Sequence, residues 1–211
     1  MEMVSLTVGM YETNCYLVYD KQKQEGVIID PGDEADRIIA EIKRLDFKPK
    51  MILLTHGHVD HIGAVNEMIK TYAIPLKAGR GEEKLLKSAA ANFSALMGAP
   101  ITCPAPDQLL VDGDQLSFGS EFLTALQTPG HSPGGVCYLG EGLVFCGDTL
   151  FYGSVGRTDF PGCSHQQLIK SIVEKLLPLP DDTCCYPGHG PATTIGEERR
   201  HNPFLQGNEI I

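Results

Sequence analysis

Three histidines and an aspartate lie within six residues of one another, directly after an apolar run, in the segment MILLTHGHVDHIGA at positions 51–64. They are His56, His58, Asp60 and His61. Burying such groups without partners costs roughly 1 to 3 kcal/mol each, so a chain that places them behind a buried strand has to compensate them. In an extended segment, residues two apart point the same way, so the rings at 56 and 58 can face one point. The segment therefore predicts a metal site.

Three further candidate ligands follow apolar runs elsewhere in the chain and lie beside glycines. They are His131 in TPGH, Asp148 in FCGDT and His189 in YPGHG. A glycine turn at the end of a strand lets such a side chain project toward a shared centre. All seven together suit two divalent ions, with three protein ligands on each side and one bridging carboxylate. Zinc is the expected ion, with iron and manganese as alternatives, because imidazole and carboxylate bind all three.

Composition and charge exclude several classes of function. Hydrophobic residues make up 42% of the 211 residues and the formal charge is −10, which predicts one globular domain over 1–211 and repulsion of nucleic acid. The N-terminus lacks the basic region of a signal peptide, and no apolar run reaches the roughly 18 residues of a membrane span. We therefore expect a cytoplasmic protein without a membrane partner. The seven cysteines form no C-x-x-C pair and are expected to be reduced.

Strand and helix patterns alternate along the chain. A hairpin is predicted from strands at 15–19 and 27–29, and further strands at 51–54, 74–78, 108–111, 115–118, 122–127, 136–139, 143–146 and 184–186. Apolar residues at helical spacing predict helices over 33–46, with Asp33 as N-cap, and over 61–72. Residues 82–97 are expected to be partly helical, and a capping box at Ser164 opens a helix through 177. This order predicts an α/β (α+β) fold of two packed sheets with helices outside.

The motif H-x-H-x-D-H at 56–61 resembles the signature of the metallo-β-lactamase fold superfamily. Within it, the chain is most similar to the glyoxalase II (hydroxyacylglutathione hydrolase) group, through TNCYLV, IIDPG, THGHVDHIGA, TPGHSPG, LVFCGDTLF, GRTDFPG and YPGHGPAT. The resemblance covers residues 13–204 and implies a four-layer αββα sandwich with the metals at one edge. It also implies a division of the ligands: His56, His58 and His131 on the first metal, Asp60, His61 and His189 on the second, and Asp148 between them.

The resemblance implies a metal-dependent hydrolase of small-molecule thioesters, with S-D-lactoylglutathione as the main candidate. Two divalent ions lower the pKa of a shared water toward about 7 and so provide a bridging hydroxide at neutral pH. Asp60 and Asp148 are expected to take part in catalysis because they hold these ions. About twenty residues follow YPGHGPAT, so we expect the helical glutathione-binding domain of the larger enzymes to be absent and a broader range of thioesters to be accepted.

Three residues outside the ligand set have expected roles. Asp30 in IIDPG is expected to fix the metal loop from behind the ligands, or else only to form a turn. Arg157 in GRTDF falls where the family has a basic substrate contact, and its structural alternative is an ion pair with Asp159. Tyr152 is a second candidate substrate contact.

The same scaffold supports other chemistries. Persulfide dioxygenases of the superfamily also carry GRTDF and bind one iron through two histidines and an aspartate, which here are His56, His131 and Asp148. A β-lactamase or lactonase shares the ligands and differs in its pocket. A non-catalytic binding protein is disfavoured by the complete ligand set, and a nuclease is disfavoured by charge. The sequence leaves the oligomeric state open.

Overall fold

The first half of the chain forms a six-stranded mixed sheet, here called sheet A. In this computed structural model, which describes residues 1–206, its strands in spatial order are β1 (Glu2–Val8), β2 (Thr13–Asp20), β3 (Glu25–Ile29), β4 (Lys48–Leu54), β5 (Leu76–Gly79) and β6 (Gln108–Leu110). The first three strands pair antiparallel, and β3 to β6 run parallel. The predicted domain continues to residue 211, and its last five residues lie outside the described part.

The second half forms another six-stranded sheet, here called sheet B. Its strands are β7 (Gln115–Phe118), β8 (Glu121–Gln127), β9 (Val136–Gly140), β10 (Leu143–Gly147), β13 (Cys184–Pro187) and β14 (Thr193–Thr194), in the spatial order β14-β13-β10-β9-β8-β7. Between β10 and β13 lies a small hairpin of β11 (Leu150–Phe151) and β12 (Ser154–Val155). Each predicted strand is present, with its ends within three residues of the prediction.

Helices cover the outer faces of both sheets. They are α1 (Ala35–Leu45), α2 (Val59–Ile62), α3 (Val65–Tyr72), α4 (Glu83–Lys87), α5 (His165–Ser171), which continues as a π-helix (Ile172–Leu176), and α6 (Ile195–His201). Short 3₁₀ helices span Ser94–Met97 and Pro203–Leu205. Ser164 caps α5 as predicted, because its side chain accepts the N–H of Gln167.

Three buried apolar layers hold the structure together. One lies between sheet A and α1 and α3, where Ile28 and Ile52 meet Ile38 and Met68. The second lies between the two sheets, and the third between sheet B and α5 and α6. Sheet A is covered on both faces, which is why β3 and β4 are nearly continuous apolar runs. The predicted four-layer αββα sandwich is confirmed.

The helix predicted over 61–72 is wrong in its continuity and its start. α2 begins before position 61, and a break at Gly63 and Ala64 separates it from α3. The N–H of Ala64 donates to the carbonyl oxygen of Pro31 at 2.9 Å instead of to the preceding helical turn. A Cβ at Gly63 would overlap the carbonyl oxygen of Gly32. The loop at 30–33 therefore docks into the gap, which brings it next to the metal-loop residues of α2.

The predicted N-cap of α1 is also wrong. Glu34 occupies the cap position with a left-handed backbone (φ 52°) and no side-chain cap hydrogen bond. Asp33 lies one residue earlier, where its Oδ1 accepts the N–H of Glu34 at 2.7 Å. Six elements had no sequence prediction: β1, β11, β12, β14, the 3₁₀ helix Pro203–Leu205 and α6. The last is capped by Thr194, whose hydroxyl oxygen accepts the N–H of Glu197.

All seven cysteines are free thiols, and five of them, including Cys15, Cys137 and Cys146, are buried in the core. Within residues 1–206, no helix combines the length and the apolar character that crossing a membrane requires.

Candidate metal centre

Four strand ends meet at one edge of the sandwich. The loop and first helical turn after β4 of sheet A carry His56, His58, Asp60 and His61, and the loops after β8, β10 and β13 of sheet B carry His131, Asp148 and His189. The structure brings all seven predicted side chains together in three overlapping groups, and in each group the ligand atoms lie within 4.8 Å of one another. Every group draws on both sheets.

The first group consists of three imidazoles. His131 Nε2 lies 3.0 Å from His58 Nδ1 and 3.2 Å from His56 Nε2. The Nδ1–H of His131 donates to the carbonyl oxygen of Arg157 at 2.8 Å, so the Nε2 of the neutral ring carries a lone pair. His56 Nδ1 lies 3.2 Å from Thr55 Oγ1, which leaves the Nε2 lone pair of His56 facing the same point. Ring nitrogens that direct lone pairs at one point have no hydrogen to donate to one another. They therefore suit a bound cation better than a hydrogen-bond network among themselves.

The second group consists of Asp60, His61 and His189. Asp148 lies between this group and the three imidazoles of the first group. Asp60 Oδ2 is 3.2 Å from His189 Nε2 and 3.8 Å from His61 Nε2. Asp148 Oδ1 is 3.5 Å from His61 Nε2, and Asp148 Oδ2 is 3.6 Å from His131 Nε2 and 3.7 Å from His189 Nε2. Asp148 thus has the position of a bridging carboxylate.

Acceptors behind the second group fix its ring tautomers. The Nδ1–H of His61 donates to Asp30 Oδ2 at 2.9 Å, and the Nδ1–H of His189 donates to the carbonyl oxygen of Tyr11 at 2.9 Å. Asp30 also accepts the N–H and the hydroxyl of Thr55, at 2.8 Å and 2.6 Å. These bonds hold Asp30 in a left-handed conformation (φ 49°). Both Nε2 atoms consequently face the centre as lone pairs, the orientation that a metal ligand needs.

Two buried atoms show that the donor set fits divalent cations. His61 Nε2 and Asp148 Oδ1 are buried and have no hydrogen-bond partner among residues 1–206, which costs about 1 to 3 kcal/mol for each such atom in the absence of an ion. A Cβ at Gly188 would overlap Asp148 Oδ1, so the chain leaves this oxygen accessible to a ligand by placing glycine there. A cation held by Asp60, His61 and His189, with Asp148 shared, would satisfy both atoms.

Burial and neighbouring charges shift the pKa values of the cluster in different directions. Burial lowers the pKa of His56 well below its usual value of 6.5 and that of His58 to about 3. Burial also acts to lower the pKa of His61, but three neighbouring carboxylates raise it well above the usual value. Burial acts to raise the pKa of Asp148, and the His61 ring next to it lowers that pKa overall. Protons and metal ions therefore compete for the same ring nitrogens and carboxylate oxygens, so metal affinity depends on pH.

Glu82 is a buried carboxylate at this edge that the sequence analysis missed. Its Oε2 accepts the N–H of Gly57 at 2.7 Å and its Oε1 accepts the N–H of Gly134 at 2.6 Å. It thereby ties the ligand loop after β4 to the ligand loop after β8. Burial raises the pKa of the Glu82 carboxyl. The segment GEEKLL has the pattern of an ordinary exposed helix start, so no signal in the sequence points to this role.

The two predicted substrate contacts differ in their surroundings. Arg157 donates from Nε and Nη2 to Asp159, both at 2.8 Å, and its guanidinium lies 3.9 Å from the centroid of the Phe160 ring. The alternative considered for Arg157, an ion pair with Asp159, is therefore present. Tyr152 lies in the turn between β11 and β12 and is 60% exposed.

The chain is similar to known proteins over nearly its whole length. The family model of the metallo-beta-lactamase superfamily matches residues 8–189. The hydroxyacylglutathione hydrolase GloC of Haemophilus influenzae is 39% identical over 209 residues, which cover 97% of this chain and 98% of that protein.

Two solved structures share the fold and much of the sequence. The B3 metallo-beta-lactamase BLEG-1 has a TM-score of 0.92 at 44% identity, with 98% of this chain and 100% of that chain covered. TTHA1623, solved in a di-iron-bound form, has a TM-score of 0.85 at 39% identity, with 96% and 100% covered. The family expected from the H-x-H-x-D-H motif is thereby confirmed: this chain belongs to the metallo-beta-lactamase superfamily and is one of its metallo-hydrolases.

Proposed function

We propose that this metallo-hydrolase cleaves thioesters, with S-D-lactoylglutathione as the reference substrate, and that it works with two divalent ions. The observation that carries the proposal is the second ligand group, in which Asp60, His61 and His189 bring their donor atoms together beside the three imidazoles. A mononuclear iron dioxygenase uses only two histidines and one aspartate. It would leave the second group, with its buried unpartnered nitrogen on His61, without a use.

The proposal gives each side chain of the cluster a part. One ion would be held by His56, His58 and His131 and the other by Asp60, His61 and His189, and Asp148 would be shared between them. When bound, the ions supply a Lewis acid for the carbonyl oxygen and a water acidic enough to ionise at neutral pH. The two ions would stabilise the oxyanion that develops on the substrate, because the ligand carboxylates Asp60 and Asp148 offset only two of their four positive charges.

Residues around the cluster complete the proposed site. Asp30 positions His61 through the Nδ1–H bond, and Arg157 positions His131 through its carbonyl oxygen. Arg157 and Tyr152 are also proposed as substrate contacts. Zinc is the proposed ion, and the di-iron form of the similar TTHA1623 supports iron as the alternative, since imidazole and carboxylate accommodate both.

Metal analysis combined with parallel substrate assays tests the proposal. The purified protein is expected to contain close to two divalent ions per chain and to hydrolyse S-D-lactoylglutathione, and a chelator is expected to abolish turnover. One iron per chain together with oxygen uptake on glutathione persulfide would reject it in favour of a dioxygenase. Faster turnover of nitrocefin than of any thioester would reject it in favour of a β-lactamase, an outcome worth measuring because BLEG-1 is 44% identical.

A further inference from the structure

Two cavities flank the metal cluster, and they differ in size and charge. The larger, of about 550 Å³, reaches the cluster at His58 and lies between the α4 region and residues 161–163. The smaller, of about 300 Å³, reaches the cluster at Asp60 and also has Asp33 in its wall. A thioester at the metals has two arms, one on each side of the reacting carbonyl. The two cavities are placed to take one arm each.

In the described part of the chain, Lys84 is the only charged side chain that lines the larger cavity. It lies on α4 and is exposed. No carboxylate within residues 1–206 comes within salt-bridge distance of it, although carboxylates outnumber cationic groups in this chain by ten. Most of the remaining wall is apolar and includes Leu85, Phe93, Pro133 and Pro161. The cavity therefore suits a ligand with an apolar stem and an anionic end.

The wall between this cavity and the cluster is built from aromatic rings. Phe93 has a left-handed backbone (φ 71°), which is rare and costly for a bulky residue. That backbone places its ring centroid 4.2 Å from the ring of Phe160 and 5.3 Å from the ring of His58. A ligand that runs along this wall would connect the metal side at His58 to the ammonium of Lys84.

We infer that the larger cavity binds the thiol arm of the substrate and that Lys84 selects thiol arms that carry a carboxylate. Charge determines which arm enters which cavity, because Asp33 in the wall of the smaller cavity repels an anionic arm and Lys84 in the larger cavity attracts it. The smaller cavity then takes the short, uncharged acyl arm. The inference rests on the proposed thioesterase function and specifies its substrate class: thioesters of small anionic thiols.

A matched pair of substrates and three variants test the role of Lys84. The substrates are S-D-lactoylglutathione and its diamide, in which both carboxylates are replaced by carboxamides. Lys84→Met removes the charge and keeps the length of the side chain, and Lys84→Glu reverses the charge. Lys87→Met is the control, because Lys87 lies on the same helix, is exposed and does not line the cavity.

For Lys84→Met we expect KM for S-D-lactoylglutathione to rise about fivefold or more, with kcat changed less than about twofold. KM for the diamide is expected to stay unchanged, Lys84→Glu to prefer the diamide, and Lys87→Met to behave as wild type with both. An equal rise of KM for acid and diamide in Lys84→Met, or no rise for either, would overturn the inference.

Calorimetry with a non-hydrolysable ligand separates this inference from the proposed function. S-hexylglutathione and its diamide are titrated into the metal-loaded wild type and Lys84→Met proteins. Binding of the acid that weakens about fivefold in the variant, with unchanged binding of the diamide, supports the cavity assignment even if no thioester is hydrolysed. Failure of the wild type to bind S-hexylglutathione more tightly than its diamide overturns the assignment even if thioesters are hydrolysed.

Discussion

Replacing Asp30 by asparagine should selectively weaken the proposed second metal site, formed by Asp60, His61 and His189. The carboxylate of Asp30 accepts three hydrogen bonds and donates none: from His61 Nδ1–H at 2.9 Å, and from the hydroxyl and the N–H of Thr55 at 2.6 Å and 2.8 Å. An amide group has one accepting oxygen and one donating nitrogen. Whichever way the asparagine side chain turns, its NH₂ group faces at least one of these donors.

The size of the effect on stability and on metal affinity depends on which hydrogen bond of Asp30 is lost. If the NH₂ faces Thr55 N–H, a buried donor loses its acceptor at a cost of about 1 to 3 kcal/mol in the free energy of unfolding. If it faces His61, the imidazole has to move its proton to Nε2, which removes the lone pair from the metal. Outer partners of this kind typically contribute 10- to 100-fold to metal affinity. In both orientations His61 loses its carboxylate partner, so we expect Asp30→Asn to weaken metal binding by Asp60, His61 and His189 about 10- to 100-fold.

Competition with a chromophoric chelator measures the two affinities, and urea unfolding of the metal-free protein measures stability. Asp33→Asn is the matched control, since Asp33 lies in the same loop, is exposed and accepts only the N–H of Glu34. It is expected to keep both affinities. If both metal affinities are unchanged in Asp30→Asn, or if both fall equally, Asp30 does not act on metal binding through His61.

Three further changes have defined outcomes. Asp148→Asn is expected to reduce kcat by at least about 100-fold and to leave the far-UV circular dichroism unchanged; wild-type turnover in this variant would contradict a bridging role. Ala73 ends α3 with a left-handed backbone (φ 52°) and is exposed, so Ala73→Gly should raise the free energy of unfolding by about 0.5 to 1 kcal/mol, and a lower melting temperature would contradict this. The Ser120 hydroxyl and N–H, together with two turn N–H groups, hold the pKa of Asp20 well below its usual value of 3.8. The stabilisation by Asp20 is therefore complete above that value and is lost as the pH falls below it. Between pH values of about 5 and 2.5, Asp20→Asn should lose less free energy of unfolding than wild type, and equal losses would count against this assignment.

The positions of the three ligand side chains from sheet B could be predicted because each follows an apolar run and adjoins a glycine. His131, Asp148 and His189 all lie directly after or near the ends of strands of sheet B, as the motifs TPGH, FCGDT and YPGHG indicate. The strands themselves were predictable because β-branched and leucine-rich runs bounded by turn residues are local features. The layered fold then follows from having both faces of sheet A covered.

The parts that could not be predicted depend on contacts between distant segments. The break in the helix at Gly63 arises because the loop at 30–33 docks there, which no local periodicity encodes. The carbonyl oxygens of Tyr11 and Arg157, which orient His189 and His131, are backbone atoms and carry no residue signature. Strand β1 has few buried residues and forms because it pairs with β2 along its full length.

The convergence of ligands from both sheets has a consequence for how the chain could be divided. Sheet A supplies four of the seven side chains and sheet B supplies three, and each ligand group mixes the two sources. A cut in the turn between β6 and β7, at the exposed residues 112 and 113, would leave each fragment with an incomplete set of ligands. In a mixture of the two fragments, only molecules in which both fragments have reassembled would have the full set of ligands. The rate of turnover would therefore measure how much of the two fragments has reassembled.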